Sequence, residues 1–441
     1  MPRPLDFFVT MGGIVRCLSV FLQCRLTSTD SKGIEADMAR FLLCWEFGGG
    51  LGHAGRFKPL AQALMRRGHQ VDLMLRDIVH TRALLGDLNA QGARILQAPV
   101  WLHQTVGVPN PVISLSEIVM GNGYLKASSL AGLVEGWRGV MQMAQTDVVV
   151  ADYAPTATIA ARTLGIPVAS VGIGFYVPPD ASPLPPFRTW EPIQAGRVEH
   201  YDQQVLGSVN EVLRTHQAPE LAKLADIFRG DLPLLCTWPE LDHYGRGTLP
   251  VGQHYLGPTF LPSGGEAPQW PEGDGPAVFA YIRSTHPDHL ALLQALDQLG
   301  CRTLCYVPEV VAGKPEPLTS PRIRYAKSPV HLGQALPQSQ LVICHAGEAT
   351  LAQSILAGVP VLMLPTQAEQ FLMAVRVEQA GAGINVATRP RPTDYKALLT
   401  QMLRQPAHRQ AAQALAERYS AFTHEGQTTE LVAAFESLIQ A

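Results

Sequence analysis

The stretch from Leu341 to Gln370 leaves the chain little choice of fold. The apolar run Leu341-Val342-Ile343-Cys344 reads as a buried parallel strand, because a strand covered on both faces shows no polar alternation. His345 to Thr350 is a turn of mostly small residues that opens a helix over 351–356. Gly358 stops that helix, since glycine accepts the left-handed conformation at a helix end, and Val359 to Leu364 is the next strand. Strand, tight turn and helix N-terminus in that order make an anion site. The first N–H groups of a helix have no partner within it, and the helix dipole favours negative charge there. Thr350 adds a hydroxyl donor, and Glu369 and Gln370 follow the second strand, within reach of sugar hydroxyls.

Three pieces of this stretch stand in a fixed order: His345-Ala346-Gly347-Glu348-Ala349-Thr350, Ala357-Gly358-Val359-Pro360 and Pro365-Thr366-Gln367-Ala368-Glu369-Gln370. Together they resemble the nucleotide-sugar signature of GT-B glycosyltransferases, especially the UDP-glycosyltransferases and antibiotic glycosyltransferases. That family shows His-Gly-Gly-x-Gly-Thr/Ser, then Gly-Val-Pro, then Pro-x-x-x-Asp/Glu-Gln. The likeness runs on into Ala374, Val377 and Gly381-Ala382-Gly383. It implies an α/β chain of the GT-B type, two facing Rossmann-like domains with a cleft between them. It also implies a UDP- or dTDP-sugar donor bound by Gly52, Arg283, Ser284, His345, Gly347, Thr350, Gln353, Glu369 and Gln370. The donor is a co-substrate, and no cofactor and no metal are expected; no two aspartates separated by one residue occur in the chain. Two family glycines are Ala346 and Ala349 here, and alanine resists positive φ, so an altered loop geometry is expected. Gln353 stands where many members carry a ribose-binding Glu, and Arg283-Ser284 stands where members show Gly-Ser or Gly-Thr. Arg283 either pairs with the diphosphate or obstructs the loop.

Near the start, Gly48-Gly49-Gly50-Leu51-Gly52-His53 follows an apolar strand and opens a helix. Gly50-x-Gly52-x-x-Gly55 is also a dinucleotide-binding fingerprint, so an NAD(P)-dependent oxidoreductase is an alternative reading. Its acid at the end of the second strand would be Asp77, but Arg76 precedes it and the spacing is too long. The resemblance uses the same residues differently. Gly52-His53, with Pro59 following, fits the family's Gly-His, whose His is the general base for the acceptor hydroxyl. Asp152, ending Val149-Val150-Ala151, fits the Asp that orients that base. It also reads as the N-cap of the next helix, and both roles stay open. Trp101, Phe175, Tyr176 and Trp190 stand in loops, where they line an acceptor pocket or pin the loops down. A third reading is a sugar-nucleotide binder without catalysis, suggested by the alanines and Arg283.

The chain has 441 residues, 46% of them apolar, and a net charge of −3 with no basic run. That suits two globular domains and gives no reason to expect nucleic acid or an anionic membrane surface. The seven cysteines are scattered, and Cys301 and Cys305 have no second pair for zinc, so a reducing cytoplasm is expected. Ile14 to Cys24 is interrupted by Arg16 and too short to span a bilayer. Residues 1–37 therefore read as an extension outside the fold. Residues 38–257 alternate strand and helix, with a long helical stretch over 198–227. Residues 258–276 are a linker rich in Gly and Pro, and 277–441 are a second α/β unit with a helical tail. By the resemblance, the first domain binds a small, apolar acceptor, the second binds the nucleotide-sugar, and the last helix crosses back to the first domain.

Overall fold

The computed structural model describes residues 38–250, 253–260 and 264–439, so the expected extension over 1–37 lies outside the described residues. The first sheet contains β1 (Arg40–Trp45), β2 (Gln70–Leu75), β3 (Arg94–Gln97), β4 (Val148–Asp152), β5 (Val168–Gly172) and β6 (Leu232–Leu235). The second contains β7 (Ala277–Tyr281), β8 (Arg302–Tyr306), β9 (Ile323–Tyr325), β10 (Leu341–Cys344), β11 (Val361–Met363) and β12 (Gly383–Asn385). The strand orders are β3-β2-β1-β4-β5-β6 and β12-β11-β10-β7-β8-β9, and every pairing between these strands is parallel. The two sheets share one winding. In each, the order reverses between the first strand and the fourth, which places a crevice beyond the carboxyl ends of β1/β4 and of β7/β10.

From Phe41 to Trp45, β1 is apolar because both of its faces are covered. Leu42 and Cys44 join one helical layer with Trp137 and Met141. Phe41, Leu43 and Trp45 point the other way, into a layer with Phe57, Leu60 and Leu64. This two-residue alternation is the strand pleat, hidden in the sequence because neither face is polar. The helix His424–Glu436, near the end of the chain, belongs to this first half: Leu431, Val432 and Phe435 are buried in the same layer as Phe57. Glu436 accepts from Arg67 at 2.5 and 2.6 Å and lies 2.9 Å from His69 Nε2.

The long helical stretch read over 198–227 is shorter in the structure. The helix runs Arg197–Thr215, and only Asp226–Arg229 is helical again. Gln217 turns left-handed at φ 55° with Pro219 close behind, and that pair breaks the run. Likewise the tail is two helices, Ala407–Arg418 and His424–Glu436, the second capped by the Thr423 hydroxyl. Among the described residues no helix is long and apolar enough to cross a membrane.

Glu46, just past β1, is fully buried and faces the start of the helix Pro155–Leu164. It accepts from the Thr156 N–H at 2.9 Å and meets the Thr156 hydroxyl at 2.5 Å. Burial pushes its carboxyl up to about 8, against the lowering effect of Thr156 and Arg76. In the unfolded chain this acid ionises at the ordinary 4.5. Between those values the unfolded state releases a proton that the folded state keeps. The carboxyl's contribution to stability is therefore whole at low pH and is lost as pH rises towards 8, by on the order of 1 kcal/mol per pH unit. Glu46→Gln, which cannot ionise, is expected to gain on wild type between pH 5.5 and 8.5. Urea midpoints at both pH values measure this, and a gap that stays constant contradicts it.

Candidate active site

The first crevice places His53 and Asp152 together. β1 and β4 are neighbours, with Trp45 opposite Asp152 at their carboxyl ends. β1 runs through a glycine turn into the helix Gly52–Arg66, of which His53 is the second residue. His53 Nδ1 lies 2.9 Å from Asp152 Oδ1, and Asp152 is fully buried. The imidazole stacks on Trp45 at 5.1 Å and leans on Tyr176 at 5.5 Å. An Nδ1–H donated to the carboxylate assigns the tautomer and leaves Nε2 as the proton acceptor. Nε2 sits over Gly48, where an added Cβ would stand 2.8 Å from it and where φ is +78°. Space and backbone both require glycine there.

Of the two roles read for Asp152, the geometry favours the orienter. The helix Pro155–Leu164 is entered through Ala154 without a side-chain cap, and Glu46, not Asp152, receives the Thr156 N–H. The second oxygen of Asp152 accepts from Arg56 Nη1 at 2.5 Å, and the same Nη1 donates to Tyr176 Oη at 2.8 Å. Burial pushes Asp152 up, but the charges of Arg56 and His53 outweigh it and hold the carboxyl below its usual range. Arg56 itself is 3% exposed. It was not among the residues singled out from sequence; the only signal is a cation one helical turn after His53.

The second crevice carries the signature loop. The helix begins at Glu348, three residues earlier than the sequence suggested, with Gly347 at its N-cap and no side chain capping it. Its first turn is therefore open to an anion, and Thr350 lies buried within that turn. Ala346 takes φ 61°, the left-handed conformation a glycine would take there. Ala346 therefore carries backbone strain, of order 1 kcal/mol. His345 differs from its expected role as a donor contact. Its Nδ1 meets the Leu364 carbonyl at 2.7 Å and its Nε2 accepts the Arg283 N–H at 2.9 Å. With both ring nitrogens spent on backbone, His345 ties together the ends of β7, β10 and β11. Burial lowers its pKa, in keeping with the neutral ring.

Arg283 neither enters nor blocks the loop. Its exposed side chain pairs with Glu309 at 3.2 Å, and the Ser284 N–H donates to the same carboxylate at 3.1 Å. Gln353 folds onto its own helix, donating to the Ala349 carbonyl at 3.1 Å. Gln370 Oε1 accepts from the N–H and hydroxyl of Thr366, both at 2.9 Å. Glu369 points instead toward the first crevice: burial raises its carboxyl, and the charges of His53 and Arg56 pull it down. It lines a cavity of about 600 Å³ with Phe47, Gly48, Tyr153, Phe175 and Phe187. Trp190 reaches across to Phe371 with ring centres 4.4 Å apart, while Trp101 bonds Thr105 at 3.1 Å and serves to pin its own loop.

Comparison with known proteins agrees with this fold. Residues 318–438 match the erythromycin biosynthesis protein CIII-like C-terminal domain. A PGL/p-HBAD biosynthesis glycosyltransferase of Mycobacterium tuberculosis is 27% identical over 335 residues, covering 72% of this chain and 77% of its own. The calicheamicin glycosyltransferase CalG4 superposes with a TM-score of 0.65 at 16% identity, over 92% of this chain and 99% of that one. The glycosyltransferase VinC, solved with dTDP, gives 0.58 at 19%, over 91% and 99%. The chain is a GT-B glycosyltransferase. The dinucleotide reading of Gly50-x-Gly52-x-x-Gly55 has no support in this enzyme. Asp77 is spent on its own turn, accepting from the N–H groups of Val79 and His80 at 3.0 and 2.9 Å. The glycosyltransferase's two halves meet where sequence gave no warning: Glu348 Oε2 lies 3.7 Å from Arg56 Nη2.

Proposed function

We propose that this glycosyltransferase moves a sugar from UDP or dTDP to a hydroxyl of a small apolar acceptor, with inversion and without a metal or cofactor. His53 Nε2 takes the hydroxyl proton as the acceptor oxygen attacks the anomeric carbon from the face opposite the leaving group. The bond from that carbon to the diphosphate oxygen breaks, and the diphosphate departs with the electron pair. The open first turn of the helix Glu348–Leu356 receives its charge, in the manner of other preorganised anion sites. Asp152 steadies the imidazolium until the proton passes to solvent. Glu369 holds the sugar hydroxyls at the mouth of the aromatic cavity, where an apolar acceptor fits.

The observation that carries this reading is the His53–Asp152 pair, 2.9 Å apart at one switch point and facing the half that bears the signature loop. The solved relatives add support for the donor: VinC and the spinosyn rhamnosyltransferase SpnG are both described with thymidine diphosphate bound. Among the described residues no group of three His, Cys, Asp or Glu side chains is placed to hold a metal ion.

Thermal denaturation with nucleotides tests the ligand class. dTDP or UDP at a hundredfold excess over Kd is expected to stabilise the protein by about 2.7 kcal/mol. EDTA is expected to leave that shift in place. Stabilisation by NAD(P) alone would sink the reading. Stabilisation by nucleotide without sugar transfer to any of a broad panel of hydroxylated acceptors would leave a binder and not an enzyme.

A further inference from the structure

The donor-side helix opens with an acid, at the end where an anion is expected to bind. Glu348 is its first residue, yet the side chain does not turn back to cap its own helix. It crosses the cleft instead. Oε2 lies 3.7 Å from Arg56 Nη2, the side chain is only 9% exposed, and Oε1 is buried without a hydrogen-bond partner. The other arm of the guanidinium holds Asp152 Oδ2 at 2.5 Å and Tyr176 Oη at 2.8 Å. Asp152 in turn holds His53. A line of side chains, Glu348, Arg56, Asp152 and His53, therefore runs from the donor helix to the base, hydrogen-bonded from Arg56 onward.

We propose that Arg56 is a positioning residue for the Asp152–His53 pair, and that Glu348, reaching from the donor helix, sets how Arg56 is shared between the two halves. The proposal rests on the assignment of His53 as base. A guanidinium is a rigid planar fork that can face two carboxyl groups at once, which an ammonium cannot do with the same geometry. The separation of 3.7 Å is beyond a hydrogen bond, so Arg56 belongs mainly to Asp152 in this state. Six groups surround Glu348: Arg56 on the first helix, Asp152 on β4, Tyr176 beyond β5, Cys236 and Thr237 beyond β6, and Glu369 on the helix Ala368–Gln379. Burial pushes the Glu348 carboxyl up to about 8, against the pull of Arg56. Uncharged, it leaves the helix end free for diphosphate and Arg56 with Asp152. Ionised at higher pH, it repels the diphosphate and draws Arg56 off the dyad.

Transfer rates between pH 6 and 9.5 test this, for wild type, Glu348→Gln, Glu348→Ala, Arg56→Lys and the Arg56→Lys/Glu348→Gln double variant. Wild type is expected to lose kcat/KM for the donor on an alkaline limb near 8. Glu348→Gln keeps the shape, cannot ionise and is expected to lack that limb, whereas Glu348→Ala should also lack it but with a lower plateau. Arg56→Lys is expected to lower kcat by about tenfold or more, with a smaller change in donor KM, because the base is misplaced and the donor is not. The double variant should cost less than the product of the two singles, since they act on one another. A limb absent from wild type or surviving in Glu348→Gln overturns the proposal, as does simple multiplication in the double variant. Should Arg56→Lys fail to fold, the two Glu348 variants still decide. His53→Ala is assayed beside them. If it is as active as wild type, the base assignment falls with everything built on it. If it is inactive while the limb persists in Glu348→Gln, only the relay falls.

Discussion

His53→Ala is expected to lower kcat by about 10²–10⁴-fold, the usual worth of a general base. The imidazole is held on every side. Asp152 takes Nδ1, Trp45 and Tyr176 clamp the ring, and Gly48 leaves room at Nε2. So much positioning fixes the direction of one free nitrogen, which is what a base needs. Donor affinity is expected to change little, because the signature loop is built from the other sheet. Asp152→Asn should cost less than His53→Ala, since Trp45 and Tyr176 still hold the ring. The double variant should be little worse than the poorer single one, because the two act as a unit. Sugar transfer at the wild-type rate in His53→Ala, with folding confirmed by thermal denaturation, would remove His53 from the mechanism.

What could be read in the sequence was local, and what could not was contact between distant segments. The run from Leu341 to Leu364 announces a βαβ unit because a doubly covered strand, a glycine stop and a following strand all leave composition signals. His53 and Asp152 were legible through the resemblance, and their meeting follows from the parallel pairing of β1 with β4. Arg56 and Glu348 were not, because one looks like an ordinary helical charge and the other like a loop charge until the two halves face each other. Glu46 carries no signal of burial in the sequence, and only the fold shows it sealed beneath Thr156. The backbone contacts of His345 were hidden for a related reason. A histidine in a ligand loop suggests a contact, whereas the carbonyl of Leu364 and the N–H of Arg283 are brought to it by neighbouring strands. Ala346 shows the converse: local preference argued against positive φ, and the surrounding loop imposed it.

Phe435→Ala is expected to destabilise the protein by about 3–5 kcal/mol, as truncation of a buried phenylalanine does when the site cannot collapse. Phe435 lies only a few residues from the end of the chain, where substitutions are usually tolerated. Here it is fully buried in the layer that holds Phe41, Phe57, Leu60 and Leu64 of the first half. The polar seam beside it cannot compensate. Arg67 meets Glu436 near the surface, where an ion pair is worth about 0–1 kcal/mol, and the buried His69 ring adds one further contact to the same carboxylate. Glu425→Ala, on the exposed start of the same helix, is expected to stay within about 0.5 kcal/mol. Urea unfolding is the measurement, with a lower midpoint and an unchanged slope expected for Phe435→Ala. A loss below about 1 kcal/mol would mean that the last helix lies on the first half without supporting it. Activity measured well below the unfolding midpoint should survive in Phe435→Ala. The Arg67–Glu436 contact sits just past the far end of the helix Gly52–Arg66, while His53 is positioned at its start by Asp152, Trp45 and Tyr176. A variant that folds yet loses kcat would instead show that the last helix transmits its packing along the whole of that helix to the base.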